Sequence, residues 1–88
     1  VTREVIFRND AGTMTVTLCT FQAKALPLTP CPTHRLIRVL AGTLTLAEPA
    51  LAPQVLGPDA HVFLPKGTEV AWAFSEASRA VIVDVDAP

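Results

Sequence analysis

Side chains that could bind a metal or act as a nucleophile are concentrated in one short segment of this 88-residue chain. Cys31, His34 and Arg35 lie within it, and a second histidine, His61, follows further along. A thiolate and two imidazoles can bind a divalent transition metal, and the Cys-x-x-His spacing suits half of such a site. Cys31, His34 and His61 are therefore one candidate metal centre. Cys31 is also a candidate nucleophile, activated by His34 or by the positive charge of Arg35.

A second candidate site is aromatic. Val70, Trp72 and Phe74 alternate with other residues and therefore share one face of a strand. Such a face can line an apolar ligand cavity, or it can simply fill a barrel core, and both interpretations stay open. The indole N–H of Trp72 needs a hydrogen-bond partner if it is buried, and it could orient a ligand.

Arg35 has two interpretations as well. It could hold the carboxylate or phosphate group of a small ligand, because a guanidinium matches the geometry of both groups. Alternatively, it could pair with an acidic neighbour such as Glu69 or Asp84. A buried arginine without any partner is too costly to expect.

The composition excludes several classes of protein. The chain is 50% hydrophobic and 17% charged, which excludes intrinsic disorder. The net charge of −1 and the lack of runs of like charge give no basis for binding nucleic acid or an acidic membrane surface. No apolar stretch approaches the roughly 20 residues of a membrane helix, and no signal peptide is recognisable. We therefore expect a cytoplasmic protein without nucleic-acid or membrane partners.

Two further expectations concern the thiols and the assembly. Cys19 and Cys31 are too few for a disulfide scaffold, and without a secretion signal we expect both to be free thiols. So small and apolar a chain should leave part of its apolar surface exposed. A second copy is the usual cover for such a surface, so we expect a homodimer.

Alternating residues and closely spaced turns predict an all-β fold. β-Branched residues are frequent, proline and glycine recur at short intervals, and no helical period is apparent. We expect one domain over residues 1–88, with about seven or eight antiparallel strands in a sandwich or barrel. Three prolines predict a loop or a sheet edge over residues 26–33. The threonines at 13, 15 and 17 should form a solvated face of the second strand.

Two segments resemble motifs of the cupin superfamily. Residues 36–46, with the sequence LIRVLAGTLTL, resemble its VLxGxLxL hairpin, and Phe63-Leu64-Pro65-Lys66-Gly67 resembles the second cupin motif with its Pro-x-Gly turn. Trp72 after that turn, followed by Glu76-Ala77-Ser78-Arg79, is similar to small single-domain cupins of the ureidoglycine aminohydrolase and ethanolamine-utilisation types. The resemblance covers about residues 13–85 and implies a small jelly-roll β-barrel.

The resemblance also implies where a metal would be bound. Cupins with metal chemistry place two His and a Glu in the first motif and a third His in the second. Counting from the motif turns puts these positions on Thr29, Cys31, Arg35 and Val70. Of the four, only Cys31 could bind a metal, and Arg35 brings a fixed positive charge. We therefore expect no metal cofactor.

The sequence leaves two functions open. The one we favour is a metal-free homodimeric module that binds a small molecule or a partner, with ligand-binding residues Arg35, Val70, Trp72 and Phe74. The alternative is a divergent metal-dependent enzyme, a hydrolase, isomerase or dioxygenase that acts on a small polar metabolite through the candidate metal centre. The chain could also be half of a two-cupin protein or a sensory domain of a regulator.

Overall fold

Strands make up the regular structure, as the alternating sequence predicts. The computed structural model describes residues 2–49 and 51–86, so Val1, Ala50, Ala87 and Pro88 of the expected domain lie outside the described residues. Nine strands occur in this range, one more than the upper expectation. Within it, no helix has the length and apolar character needed to cross a membrane. The strands are β1 Thr2–Arg8, β2 Met14–Phe21, β3 Lys24–Pro30, β4 His34–Ala41, β5 Leu44–Ala47, β6 Gln54–Leu56, β7 His61–Leu64, β8 Glu69–Phe74 and β9 Ser78–Val85.

Two antiparallel sheets enclose the core. The five-stranded sheet has the order β1-β2-β9-β4-β7, and the four-stranded sheet has the order β3-β8-β5-β6. Pairs such as β2 with β9 and β3 with β8 join strands that are distant in sequence. The chain therefore crosses between the sheets several times, as in a jelly roll. The expected all-β jelly-roll fold is confirmed.

Apolar side chains from both sheets form one core. Ile37, Val39 and Leu44 are at most 1% exposed. Phe21 of the five-stranded sheet stacks on Phe74 of the four-stranded sheet, with ring centroids 4.1 Å apart. Each fully buried side chain of this size contributes about 1.5–3 kcal/mol. This packing fixes the two sheets against each other and holds the strands that carry the site.

The β4–β5 hairpin depends on Gly42. Its φ angle is +84°, a left-handed conformation that only glycine adopts without strain. A Cβ atom at this position would overlap the side chain of Ser78 and lie 2.8 Å from the Ala77 carbonyl oxygen. The hydroxyl of Ser78 in turn accepts a hydrogen bond from the Thr43 amide at 3.3 Å. The hairpin therefore packs directly on the start of β9, and this contact excludes any side chain at position 42.

Two local expectations have different outcomes. The proline-rich segment 26–33 is largely the edge strand β3, so of the two expected possibilities the sheet edge is the correct one. Its pairing with β8 shifts register between Leu26 and Thr29, because prolines cannot donate ladder hydrogen bonds. The expectation of a solvated Thr17 is wrong, since this residue is 9% exposed and faces the interior. Alternation defines which residues share a face, but it does not define which face is buried.

Candidate ligand-binding cavity

A cavity of about 300 Å³ lies between the two sheets. Strands β2, β4 and β9 form one wall, β3 and β8 form the other, and Arg3 of the edge strand β1 also contributes. Most of the lining is apolar. The charged lining residues are Arg3, Arg35 and Asp84, so two positive charges face one negative charge.

Arg35 and Asp84 form an ion pair inside this cavity. They are direct cross-strand partners on β4 and β9, so their side chains project from the same face of the sheet. Arg35 Nε donates to Asp84 Oδ1 at 2.6 Å, and the Thr33 hydroxyl donates to the same oxygen at 2.8 Å. The two charged side chains are only 22% and 25% exposed. The carboxylate is therefore held by two donors, and it holds the guanidinium in a fixed orientation.

Trp72 forms the opposite side of the guanidinium site. The Cζ atom of Arg35 lies 5.7 Å from the centre of its indole ring, within the range of a cation–π contact. Within residues 2–49 and 51–86, Arg35 bonds Asp84 through Nε, so its two Nη groups can donate to a ligand. The guanidinium of Arg35 is thus held between the indole ring of Trp72 and the carboxylate of Asp84.

Two free thiols also line the cavity. Cys19 and Cys31 are 3% and 4% exposed. Burial raises the pKa of both thiols, and the nearby positive charges of Arg3 for Cys19 and of Arg35 for Cys31 offset only part of this effect. A raised pKa keeps Cys31 in its thiol form at neutral pH. The geometry therefore gives no support to Cys31 as an activated nucleophile.

Comparison with known proteins identifies the fold. No protein-family profile and no curated protein sequence matches the chain. A cupin-2 domain protein of Shewanella frigidimarina is similar in structure, with a TM-score of 0.82 and 19% identity over 96% of this chain and 79% of that chain. A cupin superfamily protein of Desulfitobacterium hafniense has a TM-score of 0.83 and 13% identity over 98% and 77%. This protein has the cupin fold. The EutQ protein of Clostridium difficile is also similar, with a TM-score of 0.80 and 13% identity over 96% and 66%.

The four positions at which metal-binding cupins would hold their ligands meet in this cupin-fold protein. Thr29, Cys31, Arg35 and Val70 all line the cavity, and Thr29 is the cross-strand partner of Val70. Their chemistry does not fit a divalent ion, because Arg35 and Val70 cannot ligate one and the hydroxyl of Thr29 is only a weak ligand. The guanidinium of the third position is a cation itself and opposes a second cation.

The alternative metal centre is not assembled. Cys31 lines the cavity, whereas the His34 ring stacks on Phe63, a side chain that is 58% exposed. His34 Nδ1 accepts a hydrogen bond from the Lys66 amide at 3.1 Å. His61 is exposed on the edge strand β7. Within residues 2–49 and 51–86, no three His, Cys, Asp or Glu side chains are grouped closely enough to hold a metal ion. His34 cannot join Cys31 in the cavity because adjacent residues of a strand face opposite ways and Arg35 points inward.

The expected ligand-binding residues are mostly brought together. Arg35, Val70 and Trp72 line the cavity. Phe74 lies two residues beyond Trp72 on β8 and does not line the cavity. It stacks on Phe21, which does line it, and so helps to hold Phe21 in place.

Sequence reasoning missed several contributors to the site. Among them are Arg3 of β1, Thr17 and Cys19 of β2, and Thr33 before β4, which either line the cavity or bind Asp84. Small polar residues of this kind carry no motif. The one available signal is the spacing of Thr33 and Arg35, which puts both on the same face of a strand.

Proposed function

We propose that this cupin is a metal-free binding protein for a small anionic molecule, and that it works as a homodimer in the cytoplasm. The observation that carries the proposal is the guanidinium of Arg35, which lines a largely apolar cavity and is held there by the bond from its Nε to Asp84. The two oxygens of a ligand carboxylate or phosphate match the two Nη groups, and their negative charge makes these hydrogen bonds stronger than those of a neutral acceptor.

The charge balance of the cavity favours an anion. Asp84 neutralises one of the two arginines that line it, and Arg3 supplies a second positive charge from the edge strand. In a partly dry site, a charge-assisted hydrogen bond contributes about 1.5–3 kcal/mol. An anion therefore gains from both guanidinium groups, whereas a cation meets a net positive lining.

The size and walls of the cavity favour a small ligand with an apolar body. Its volume of about 300 Å³ is at the lower end of the range for small-molecule sites. Val70 is 1% exposed and Trp72 is 8% exposed, so these side chains are packed and present a formed apolar wall. A short branched or cyclic carboxylate would fill this space with its apolar end and reach Arg35 with its charge.

Fluorescence can test this directly, because Trp72 is the single tryptophan of the chain. The protein would be titrated with short-chain carboxylates and with the primary amides of the same carbon skeletons. We expect saturable changes with carboxylates and weaker binding of the amides by about tenfold or more, the equivalent of one charge-assisted bond.

Two variants with the same substitution complete the test. Arg35→Met should lose the preference for carboxylate, whereas Arg79→Met, which removes an exposed arginine from β9, should keep it. Equal affinity for acids and amides, or an unchanged preference in Arg35→Met, would contradict the proposal.

The homodimer and the location have separate support. Large apolar side chains remain exposed on the single chain, among them Phe7 at 51% and Phe63 at 58%. A second copy is the usual way to cover such residues. Both cysteines are free thiols, which suits a reducing compartment such as the cytoplasm.

A further inference from the structure

The hydroxyl of Thr17 is a buried polar group that faces the cavity. Thr17 lines the cavity and is 9% exposed. In the part of the chain that the structure describes, no hydrogen bond involves its hydroxyl. No side-chain oxygen or nitrogen of these residues is both sealed from solvent and unpartnered, so the hydroxyl opens into the cavity. Burial of such a group is unfavourable unless a ligand or a water molecule satisfies it.

Asp84 has an unused acceptor in the same cavity. Its two donors, Arg35 Nε and the Thr33 hydroxyl, both bind Oδ1. Among the described residues, no group donates to Oδ2. A carboxylate offers about four acceptor positions, so Oδ2 can accept a hydrogen bond from a ligand. Because this acceptor is charged, such a bond is stronger than one between neutral groups.

Strand register places these polar groups side by side on one wall of the cavity. Thr17 pairs directly with Ile82, and Asp84 lies two residues further along the same strand β9. Thr17 and Asp84 are therefore diagonal neighbours, about 7–8 Å apart at the backbone. Asp84 is in turn the direct partner of Arg35. Across β2, β9 and β4, the wall thus presents a hydroxyl, a carboxylate and a guanidinium in that order.

We propose that the ligand is a short hydroxy acid, with its carboxylate on the Nη groups of Arg35 and its hydroxyl between Thr17 and Asp84 Oδ2. The inference rests on the anion-binding function proposed above and names the ligand class. A hydroxyl fits because it can donate to the Asp84 carboxylate and accept from the Thr17 hydroxyl at the same time. Two such bonds of about 2.7 Å each bridge side-chain oxygens about 5 Å apart, which suits diagonal neighbours. Since Asp84 and Arg35 are on adjacent strands, about 4.8 Å apart, the hydroxyl belongs on the second or third carbon of the acid.

The charge and donor balance of the cavity distinguishes a hydroxy acid from an amino acid. The lining carries two positive charges and one negative charge, so a single ligand carboxylate balances it. The ammonium group of an amino acid could also donate to Asp84, but it would restore a net positive charge close to Arg35. An ammonium group has no acceptor, so it would leave the proton of the Thr17 hydroxyl unpaired. The cavity therefore favours a hydroxyl over an ammonium group.

Compounds that share one carbon skeleton test the inference on the parent protein. Titrations followed by Trp72 fluorescence would compare 3-methylbutanoate with its 2-hydroxy and 3-hydroxy derivatives and with its 2-amino derivative, each enantiomer separately. We expect at least one hydroxy acid to bind about tenfold or more tightly than 3-methylbutanoate, the gain of one hydrogen bond to a charged acceptor. The amino acid should bind more weakly than that hydroxy acid.

One substitution separates the hydroxyl contact from the carboxylate contact. Thr17→Val keeps the shape of the side chain but removes its hydroxyl. It should reduce the preference for the hydroxy acid several-fold and leave the preference for carboxylates over amides in place. Thr20→Val, the same change at an exposed position on the outer face of β2, should keep both preferences. Circular dichroism and urea unfolding would show that both variants are folded.

The outcomes separate the ligand class from the proposed function. Equal binding of the hydroxy acids and the plain acid overturns the class but leaves anion binding standing, and so does an amino acid that binds as tightly as the best hydroxy acid. A folded Thr17→Val variant with an undiminished preference for the hydroxy acid overturns the placement of the hydroxyl at Thr17. If none of the carboxylates binds more tightly than its amide, both the class and the proposed anion binding fail.

Discussion

Removing the guanidinium of Arg35 should destabilise the protein by leaving Asp84 in the cavity with one donor fewer. Arg35→Met keeps most of the side-chain volume but removes the 2.6 Å bond to Asp84 Oδ1 and the contact over Trp72. Exposed ion pairs contribute at most about 1 kcal/mol, and breaking a fully buried pair costs about 3–5 kcal/mol. Because these side chains are 22% and 25% exposed, we expect a loss of about 2–3 kcal/mol.

A double-mutant cycle isolates the pair. Arg35→Met, Asp84→Asn and the double variant would be compared with the parent protein by urea unfolding, followed by Trp72 fluorescence and circular dichroism. The double variant should be more stable than the sum of the single losses predicts, with a coupling energy of about 2 kcal/mol. In a domain of this size, the Arg35→Met loss corresponds to a fall in Tm of about 8–24 °C.

A coupling energy near zero would refute this reasoning. It would mean that water screens the pair as it screens a surface ion pair, and that the guanidinium is not held in place for a ligand. The matched control is Arg38→Met, because Arg38 forms an exposed pair with Asp59 at 3.4 Å. Its loss should stay below about 0.5 kcal/mol.

Two further predictions concern the hairpin and the thiols. Gly42→Ala should cost about 2–4 kcal/mol in chemical unfolding, because it combines a left-handed φ with overlap on Ser78, whereas Gly12→Ala, at a φ of +72° in open space, should cost about 1 kcal/mol. Equal losses in both variants would contradict the role given to the packing. Burial raises the pKa of the Cys19 and Cys31 thiols in the folded state, so the folded protein keeps protons that the unfolded chain releases above about pH 8.5. Stability should therefore fall as pH rises from there, by up to about 1.4 kcal/mol per pH unit per thiol, and the fall in Tm should be smaller in the double Cys→Ala variant.

Much of the fold could be predicted because its signals are local. The Gly42 hairpin, the Pro65-Lys66-Gly67 turn and the alternation of Val70, Trp72 and Phe74 each depend on neighbouring residues alone. The inward direction of Arg35 also followed from a short motif. From these local features alone, the four positions that correspond to metal ligands in cupins could be identified, and all four line one cavity in the structure.

The remaining features depend on register between distant strands. The pairing of Arg35 with Asp84 joins residues 49 positions apart, so the sequence offered it only as one of two possible partners. The pairing of Val16 and Leu36 with Val83 becomes visible only when the strands of the five-stranded sheet are aligned. Thr17 was wrongly predicted to be solvated because β2 carries apolar residues such as Val16 and Leu18 on its outer face. Alternation alone could not show that the threonine side of this strand faces the interior.

Metal binding tests the central claim most directly, since the claim is that a guanidinium occupies the position of a carboxylate ligand and selects anions over cations. Purified protein would be incubated with an excess of zinc, nickel or manganese, desalted and submitted to elemental analysis together with a protein determination. The structure predicts a metal content well below one ion per chain for all three metals. A ratio near one, lost when Cys31 is replaced by Ala, would contradict it.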